Sequence, residues 1–392
     1  MSTIDALTEF YGNLVKSVDG GENTLAVYLD LSKAFDTLPF DKLLYKLQHY
    51  GVRGISYNFF SSYLRNRNMY VDFDGCKSNS SSVVCGVPQG SVLGPLLFLI
   101  YVNDLYRAVL KSSVIQFADD TTLYKSGKCN KLLFADVNDD LKRLSVWFKS
   151  NTLSLNTSKT YYILFRSKRK KFNDEFNLLI DNSIVSRCHS IKFLGMVFDE
   201  FLSWDNHVKY IGKKLSSCLY SMNALKRFVD LNVLSKVYYS LFDTYIRYGL
   251  HLWANTSQSN INYLTKLQKK AVRILCNEKY NAHTSDLFKK LQIMNIRQSI
   301  EKSYALLIYR FSIKTLPCKI HCLFNSNADI HTYETRQREH PHFTKHRTQL
   351  YSNSFLHKAK TIWQSLPLSV QSRKTEKSFN KKISKYLIEN NI

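Results

Sequence analysis

Three acidic side chains are the residues of this chain best placed to do chemistry. Asp119 and Asp120 are adjacent, between the β-branched and aromatic runs 113–117 and 121–124, so the pair is expected at the tip of a hairpin. Two-residue hairpin turns favour Asn-Gly or Asp-Gly, whose central positions tolerate positive φ. Asp-Asp fits poorly there and sets two like charges at contact distance. A bound divalent cation would offset that repulsion; the plain alternative is an exposed acidic turn. Upstream, the apolar run 24–29 reads as a buried strand ending at Asp30. A carboxylate in that position is costly unless it is paired or metal-bound. If the 24–30 strand lies beside the 113–118 strand, Asp30 meets the hairpin tip. Such a cluster suits two Mg²⁺ ions (Mn²⁺ as the alternative) about 3.5–4 Å apart, clamping the attacking and leaving oxygens of a phosphoryl transfer.

The elements that must position these groups change character along the chain. Residues 1–200 mix strand and helix patterns, which predicts an α+β unit. Beyond Ser203 helical periodicity dominates, with helices expected over 204–228, 231–248, 261–276 and 296–313. Residues 317–352 read as a poorly ordered connector, and 354–366 and 376–388 as two terminal helices. The apolar run from Leu96 to Tyr101 is far shorter than the ~20 residues that span a bilayer, so it is expected to pack under the sheet.

Composition narrows the partners. The 392 residues carry 55 Lys and Arg against 31 Asp and Glu, a formal charge of +24. That surplus points to a polyanion, because each phosphate neutralised releases a counterion. Basic clusters stand at 168–171, 213–214, 269–270 and 381–382, and Tyr161, Tyr162 and Phe165 precede the first, a pattern that suits a nucleic-acid channel. No amphipathic membrane anchor is evident. Eight cysteines without a paired framework, and no signal peptide, predict a reducing intracellular location, cytoplasm or nucleus, rather than secretion. Cys318, His321 and Cys322 lack a second pair of ligands at zinc spacing.

Five segments in order resemble the motifs of reverse transcriptases, in the flavour of the non-LTR (LINE, jockey-type) retrotransposons. Leu29-Asp30-Leu31-Ser32-Lys33-Ala34-Phe35-Asp36 is similar to motif A, the stretch from Gly86 to Pro95 to motif B, and Phe117-Ala118-Asp119-Asp120 to motif C. The stretch from Leu153 to Thr160 is similar to motif D, and Ile191-Lys192-Phe193-Leu194-Gly195 to motif E. The tract from Leu264 to Leu275 looks like the helical region that follows the palm.

The resemblance implies a right-hand polymerase palm, an antiparallel sheet with helices on one face and part of the fingers, over 1–200. A helical thumb follows over 203–316, then the connector 317–352 and a C-terminal helical region, 353–392. It implies an RNA-directed DNA polymerase working on an RNA template, a DNA primer and a dNTP, with no membrane and no small-molecule cofactor. Asp30 and Asp119 would hold the metals with the backbone carbonyl of Leu31, and Asp120 would support Asp119. Phe35 would lie under the sugar of the incoming nucleotide and exclude a 2′-hydroxyl; otherwise it is a core aromatic. Gln89 and Gly90 would contact that nucleotide, in a loop where Gly86, Gly90 and Gly94 permit close approach and Pro88 stiffens the turn. Ser91 is expected to cap the helix that follows. Lys159 would protonate the pyrophosphate, or else is a solvated surface lysine. Phe193, Leu194 and Gly195 would grip the primer, or else form an ordinary hydrophobic hairpin. Asp36 is expected only to begin a turn.

The front of the chain departs from the family. The resemblance begins in the helix just ahead of motif A, so the fingers segments that clamp the triphosphate, and an upstream endonuclease, are expected to lie outside this sequence. Two alternatives accompany the polymerase: an inactive remnant that binds RNA or an RNA–DNA hybrid, and a metal-dependent nuclease, in which Phe35 and the Gln89 loop would have no purpose.

Overall fold

The computed structural model describes residues 2–172, 176–330, 341–372 and 374–390. They form two compact units, one of residues 23–164 with 169–188, the other of 1–22, 165–168 and 189–392. Helix α1 (Thr3–Asp19) belongs to the second unit. Ser2 caps it, its hydroxyl accepting from the Asp5 N–H while the Asp5 carboxylate accepts from the Ser2 N–H.

The first unit is built on a five-stranded sheet. Its strands are β1 (Asn23–Leu29), β2 (Ser113–Phe117), β3 (Asp120–Gly127), β4 (Tyr161–Phe165) and β5 (Ser186–Arg187), in the order β5-β4-β1-β3-β2. The β1–β3 and β2–β3 pairs are antiparallel, as expected, but the β4–β5 edge pair is parallel, so the sheet is mixed. All seven residues of β1 are buried. Leu25, Val27 and Leu29 alternate into a core shared with helices α2 (Phe40–His49), α4 (Leu93–Val102) and α5 (Asn130–Ser150). Helix α3 (Gly54–Leu64) packs on α2.

The 96–101 run is only partly in that core. Leu97, Phe98 and Tyr101 are buried, but Leu96 and Leu99 are about half exposed. The reason is the helical period: residues on successive positions of an apolar run point in different directions, and one core can take only one stripe.

The second unit carries a two-stranded hairpin, β6 (Ser190–Phe193) and β7 (Met196–Asp199), and mostly helices. The long ones are α6 (Asp205–Leu225), α7 (Gln258–Leu275), α8 (Ile296–Ser312), α9 (Phe355–Ser365) and α10 (Glu376–Glu389). These match the expected spans within a few residues, except for 231–248. That span breaks into a helix at Leu231–Val237, a π-helical turn at Tyr238–Asp243 and a further turn at Thr244–Arg247. The Thr244 hydroxyl reaches back to the carbonyls of Tyr239 (2.9 Å) and Ser240 (2.6 Å), a side-chain bond that competes with the helical ladder.

The described parts of the 317–352 segment carry buried side chains. Ile320, Leu323, Phe324 and Tyr351 are buried. The Asp19 carboxylate also accepts from the N–H groups of Arg347 (2.9 Å) and Thr348 (2.8 Å). Residues 331–340 of the expected connector lie outside the described residues.

Candidate active site

The carboxylates are gathered by register. Strand β1 pairs antiparallel with β3, Leu29 opposite Thr121, so Asp30 leaves the sheet at the level where Asp120 enters it. Its neighbour is therefore the strand after the turn, not the 113–117 strand before it. The turn also differs from expectation. Phe117 pairs with Asp120, which makes Ala118 and Asp119 the two central residues and Asp120 the first residue of β3. Ala118 has φ +52° and Asp119 is not in the left-handed region, the pattern of a type II′ turn with Ala where Gly is usual. The strain thus sits on Ala118, next to the carboxylates, and not on an Asp-Asp turn.

Asp119 and Asp120 are exposed and Asp30 is half-buried. Although the residue as a whole is exposed, partial burial of its carboxyl raises the Asp120 pKa, and the negative charges of Asp119 and Asp30 raise it further. The three groups are therefore close enough to feel one another. Among the described residues no group of three or more His, Cys, Asp or Glu is placed to hold a metal ion. An open carboxylate cluster under mutual repulsion fits Mg²⁺, which takes one or two carboxylates and fills its shell with water and phosphate oxygens.

The backbone around Asp30 is clamped by the motif-D segment. The Asp30 carbonyl accepts from the Asn156 N–H (2.8 Å), and the Asp30 N–H points at the Thr160 hydroxyl (3.4 Å), which itself donates to the Asn156 carbonyl (2.9 Å). Leu31 pairs with Leu155 immediately after. Thr160 had no place in the sequence reading, because a hydroxyl that holds a backbone carries no sign of it in its spacing. Lys159, next to it, is exposed at the end of a 3₁₀ turn.

The motif-B loop is strapped to motif A. The Gly86 and Val87 N–H groups donate to the carbonyls of Leu38 and Phe35, both at 2.8 Å. A side chain at Gly86 would meet the Asp36 backbone at 2.7 Å, and its φ of +85° disfavours one in any case. Gly94 is equally tight, 2.7 Å from the Pro88 carbonyl, whereas Gly90, at φ +81°, faces open space. Gln89 donates from Nε2 to the Asp36 carboxylate at 2.8 Å. Asp36 therefore does more than begin a turn: it fixes which face of the Gln89 amide is left free. The Ser91 hydroxyl accepts from the Gly94 N–H (3.0 Å) and donates to the Pro88 carbonyl (2.7 Å), the bonding expected of a cap, but two residues ahead of the helix start at Leu93, with Val92 in the cap position. Phe35 is half-buried and its ring lies 4.6 Å from that of Phe98, so the core-aromatic role is present whatever else the ring does.

The sequence reading also missed what holds the hairpin from behind. Buried Asp140 on α5 accepts from the N–H groups of Leu110 and Lys111, each at 3.0 Å, just before β2. Lys111 pairs with Asp136 and Asp139, and Asp136 pairs with Lys125 of β3. Both sides of the 113–127 hairpin are so tied to one helix.

In the second unit, Phe193 pairs with Met196, which leaves Leu194 and Gly195 as the central residues of a two-residue turn. Both have positive φ, +44° and +85°, the type I′ pattern. The Tyr248 hydroxyl donates to the Leu194 carbonyl at 2.6 Å and its ring covers Gly195. Phe193 is buried against Phe10 at 5.7 Å. Of the aromatics expected to line a nucleic-acid channel, Tyr162 and Phe165 are buried core and Tyr161 alone is exposed. Strand alternation separates Tyr162 from Tyr161 but sets Phe165 on the face of Tyr161, so only tertiary packing, against Phe10 and Phe198, buries Phe165. The basic pairs 213–214, 269–270 and 381–382 are exposed.

The mixed sheet thus ends in clustered carboxylates, with a glycine-rich loop laid over the strand end. The sequence matches the family described as reverse transcriptase (RNA-dependent DNA polymerase) over residues 3–198, half of the chain, and the protein belongs to that family. It is 25% identical over 307 residues to the probable RNA-directed DNA polymerase from transposon X-element of Drosophila melanogaster, covering 76% of this chain and 33% of that protein. To the RNA-directed DNA polymerase from mobile element jockey of the same fly it is 23% identical over 342 residues, covering 84% and 37%. These relatives bear out the resemblance to jockey-type elements, and the chain spans about a third of their length. Among solved structures, apo telomerase from Candida tropicalis is similar at 12% identity with a TM-score of 0.37, over 81% of this chain and 55% of that one.

Proposed function

We propose that this chain is the RNA-directed DNA polymerase part of a non-LTR retroelement, extending a DNA primer on an RNA template with dNTPs. The observation that carries this reading is the β1–β3 register, which delivers Asp30 to the end of the sheet where Asp119 and Asp120 stand. In this reading the first unit is the palm with part of the fingers, and the helices after Ser203 include the thumb. Asp30, Asp119 and the Leu31 carbonyl would hold Mg²⁺ or Mn²⁺, with Asp120 supporting Asp119. When bound, the ions would lower the barrier by stabilising charge on the attacking and leaving oxygens.

The chain's own residues would do the rest. Gln89, held by Asp36, and Gly90, open to approach, would position the incoming nucleotide. Phe35 would close the space beside its sugar, so that deoxyribose fits and ribose does not. Lys159 would donate a proton to the departing pyrophosphate. Phe193, Leu194 and Gly195 would hold the primer end in a turn that Tyr248 keeps rigid. The exposed lysines would meet the phosphates of template and primer.

Incorporation of dTTP on poly(rA)/oligo(dT) with Mg²⁺, wild type against Asp119→Ala, tests the proposal. Incorporation lost in the variant, with RNA–DNA hybrid still bound, supports it. No incorporation by the wild type above the variant would leave a hybrid-binding remnant, and strand cleavage without dNTP would favour a nuclease.

A further inference from the structure

A second site lies in the helical unit, among residues to which the polymerase reading gives no role. A cavity of about 190 Å³ is lined on its polar side by Arg247, Ser299, Lys302, Ser303 and Asn380, with Leu306 on its apolar side. Four of these come from α8 and its neighbouring turn, and Asn380 from α10. Three groups of this cavity have hydrogen-bonding capacity to spare. Ser299 is 5% exposed and its hydroxyl has no hydrogen-bond partner among the described residues. A mid-helix serine ordinarily back-bonds to the carbonyl four residues earlier, and a buried unpaired hydroxyl costs stability. Lys302 makes no ion pair or hydrogen bond among the described residues. Burial lowers its pKa first and the Arg247 charge lowers it further, with Asp243 only partly opposing them. Arg247 itself is held by one nitrogen, Nε, at 2.5 Å from the carboxylate of buried Asp243, and its terminal nitrogens have no partner among the described residues. Asp243 closes the π-helical turn, a rare element that recurs at functional sites.

We propose that this cavity binds a phosphate group. With Asp243 already paired, Arg247 and Lys302 leave one surplus positive charge, and an anion would relieve the repulsion that now depresses Lys302. Guanidinium, ammonium, hydroxyls and a carboxamide together offer the several converging donors that a tetrahedral phosphate accepts, and the volume admits a phosphate with a few attached atoms. The group would be either free phosphate or a phosphodiester of a bound strand; the chemistry is the same. The site stands independently of polymerase activity, since none of its residues belongs to the carboxylate cluster.

The test uses the full chain and two phosphate probes. Inorganic phosphate at constant ionic strength is expected to raise the thermal midpoint saturably in the wild type and in the surface control Asn223→Ala. Lys302→Met should weaken that response at least tenfold. Ser299→Ala should weaken it too while leaving the phosphate-free midpoint unchanged or higher, because it removes a buried unpaired hydroxyl; a merely structural serine would lower the midpoint. With a labelled 15-nucleotide single-stranded RNA, a backbone phosphate in the cavity predicts that Lys302→Met flattens the slope of log affinity against log salt by about one contact. An unchanged slope with a lost orthophosphate response assigns the site to free phosphate. Equal phosphate responses in wild type, Lys302→Met and Ser299→Ala would overturn the proposal.

Discussion

Two tight hairpin turns, one in each unit, solve the same geometric problem differently. The Leu194-Gly195 turn has positive φ at both central residues, and its strained Leu194 is held by a hydrogen bond from Tyr248. The Ala118-Asp119 turn has one residue at positive φ, an alanine where glycine would be relaxed, and it ends in carboxylates that repel. The first turn is secured by a neighbour; the second is held by salt bridges far behind its tip, through Lys111 and Lys125 to α5. Strain of this kind costs about 1–3 kcal/mol a residue and persists where the surroundings over-determine it. A primer-holding turn needs rigidity at its apex, whereas a metal-holding turn needs an apex free to accept ions. The contrast is what the proposed functions require.

The largest expected effect is on the carboxylate turn. Asp30→Asn keeps the shape but removes charge, and should lower incorporation by roughly 10²–10³-fold, the scale of losing one electrostatic stabiliser. Steady-state rates with hybrid binding measured in parallel check this; an equal loss of binding would mean that the fold and not the chemistry was hit.

Acid should separate the two units next. In the helical unit His207 is buried and His251 half-buried, and desolvation lowers both pKa values from 6.5 to about 4. The Val197 N–H donates to His207 Nδ1, which requires the neutral ring. A depressed histidine contributes stability that is present above 6.5 and lost as pH falls toward 4, on the order of 3 kcal/mol each. For Asp120 the sign is opposite: its pKa is raised, so the repulsion it causes is fully relieved only below the ordinary value of 3.8 and grows as pH rises through the shifted value. Hydrogen exchange at pH 7 and 5 should therefore show the helical unit loosening in acid while the 113–127 hairpin does not. Asp120→Asn should stabilise at pH 7 without metal and less so in acid. Loosening of both units alike would break the comparison.

A smaller change separates loop from turn. Gly86→Ala places a side chain at φ +85° against the Asp36 backbone and should cost about 2–4 kcal/mol, whereas Gly90→Ala, facing open space, should cost about 1 kcal/mol. Urea denaturation midpoints decide between them. The smallest effect is expected for Tyr248→Phe, which removes one hydrogen bond, about 1 kcal/mol, and sharpens the comparison if primer affinity falls more than stability does.

The sequence by itself determined the local items: the α+β beginning, the helical remainder, the acidic pair beside a strand end, the glycines of the motif-B loop and the capping hydroxyl of Ser91. Each rests on residue type or on a short period, and such signals act within a few positions. Only the tertiary structure decided which strand stands beside β1, because alternation shows which residues face a core but not which strand pairs with which. It also decided that Asp36 holds Gln89, that Thr160 and Asn156 clamp Asp30, and that Asp140 anchors the 113–127 hairpin. Those contacts join residues 30 to 130 positions apart, and nothing in one partner's neighbourhood announces the other. The same limit misplaced Tyr162 and Phe165 in a channel. An aromatic next to lysines reads as a stacking surface until the sheet shows which face it turns inward.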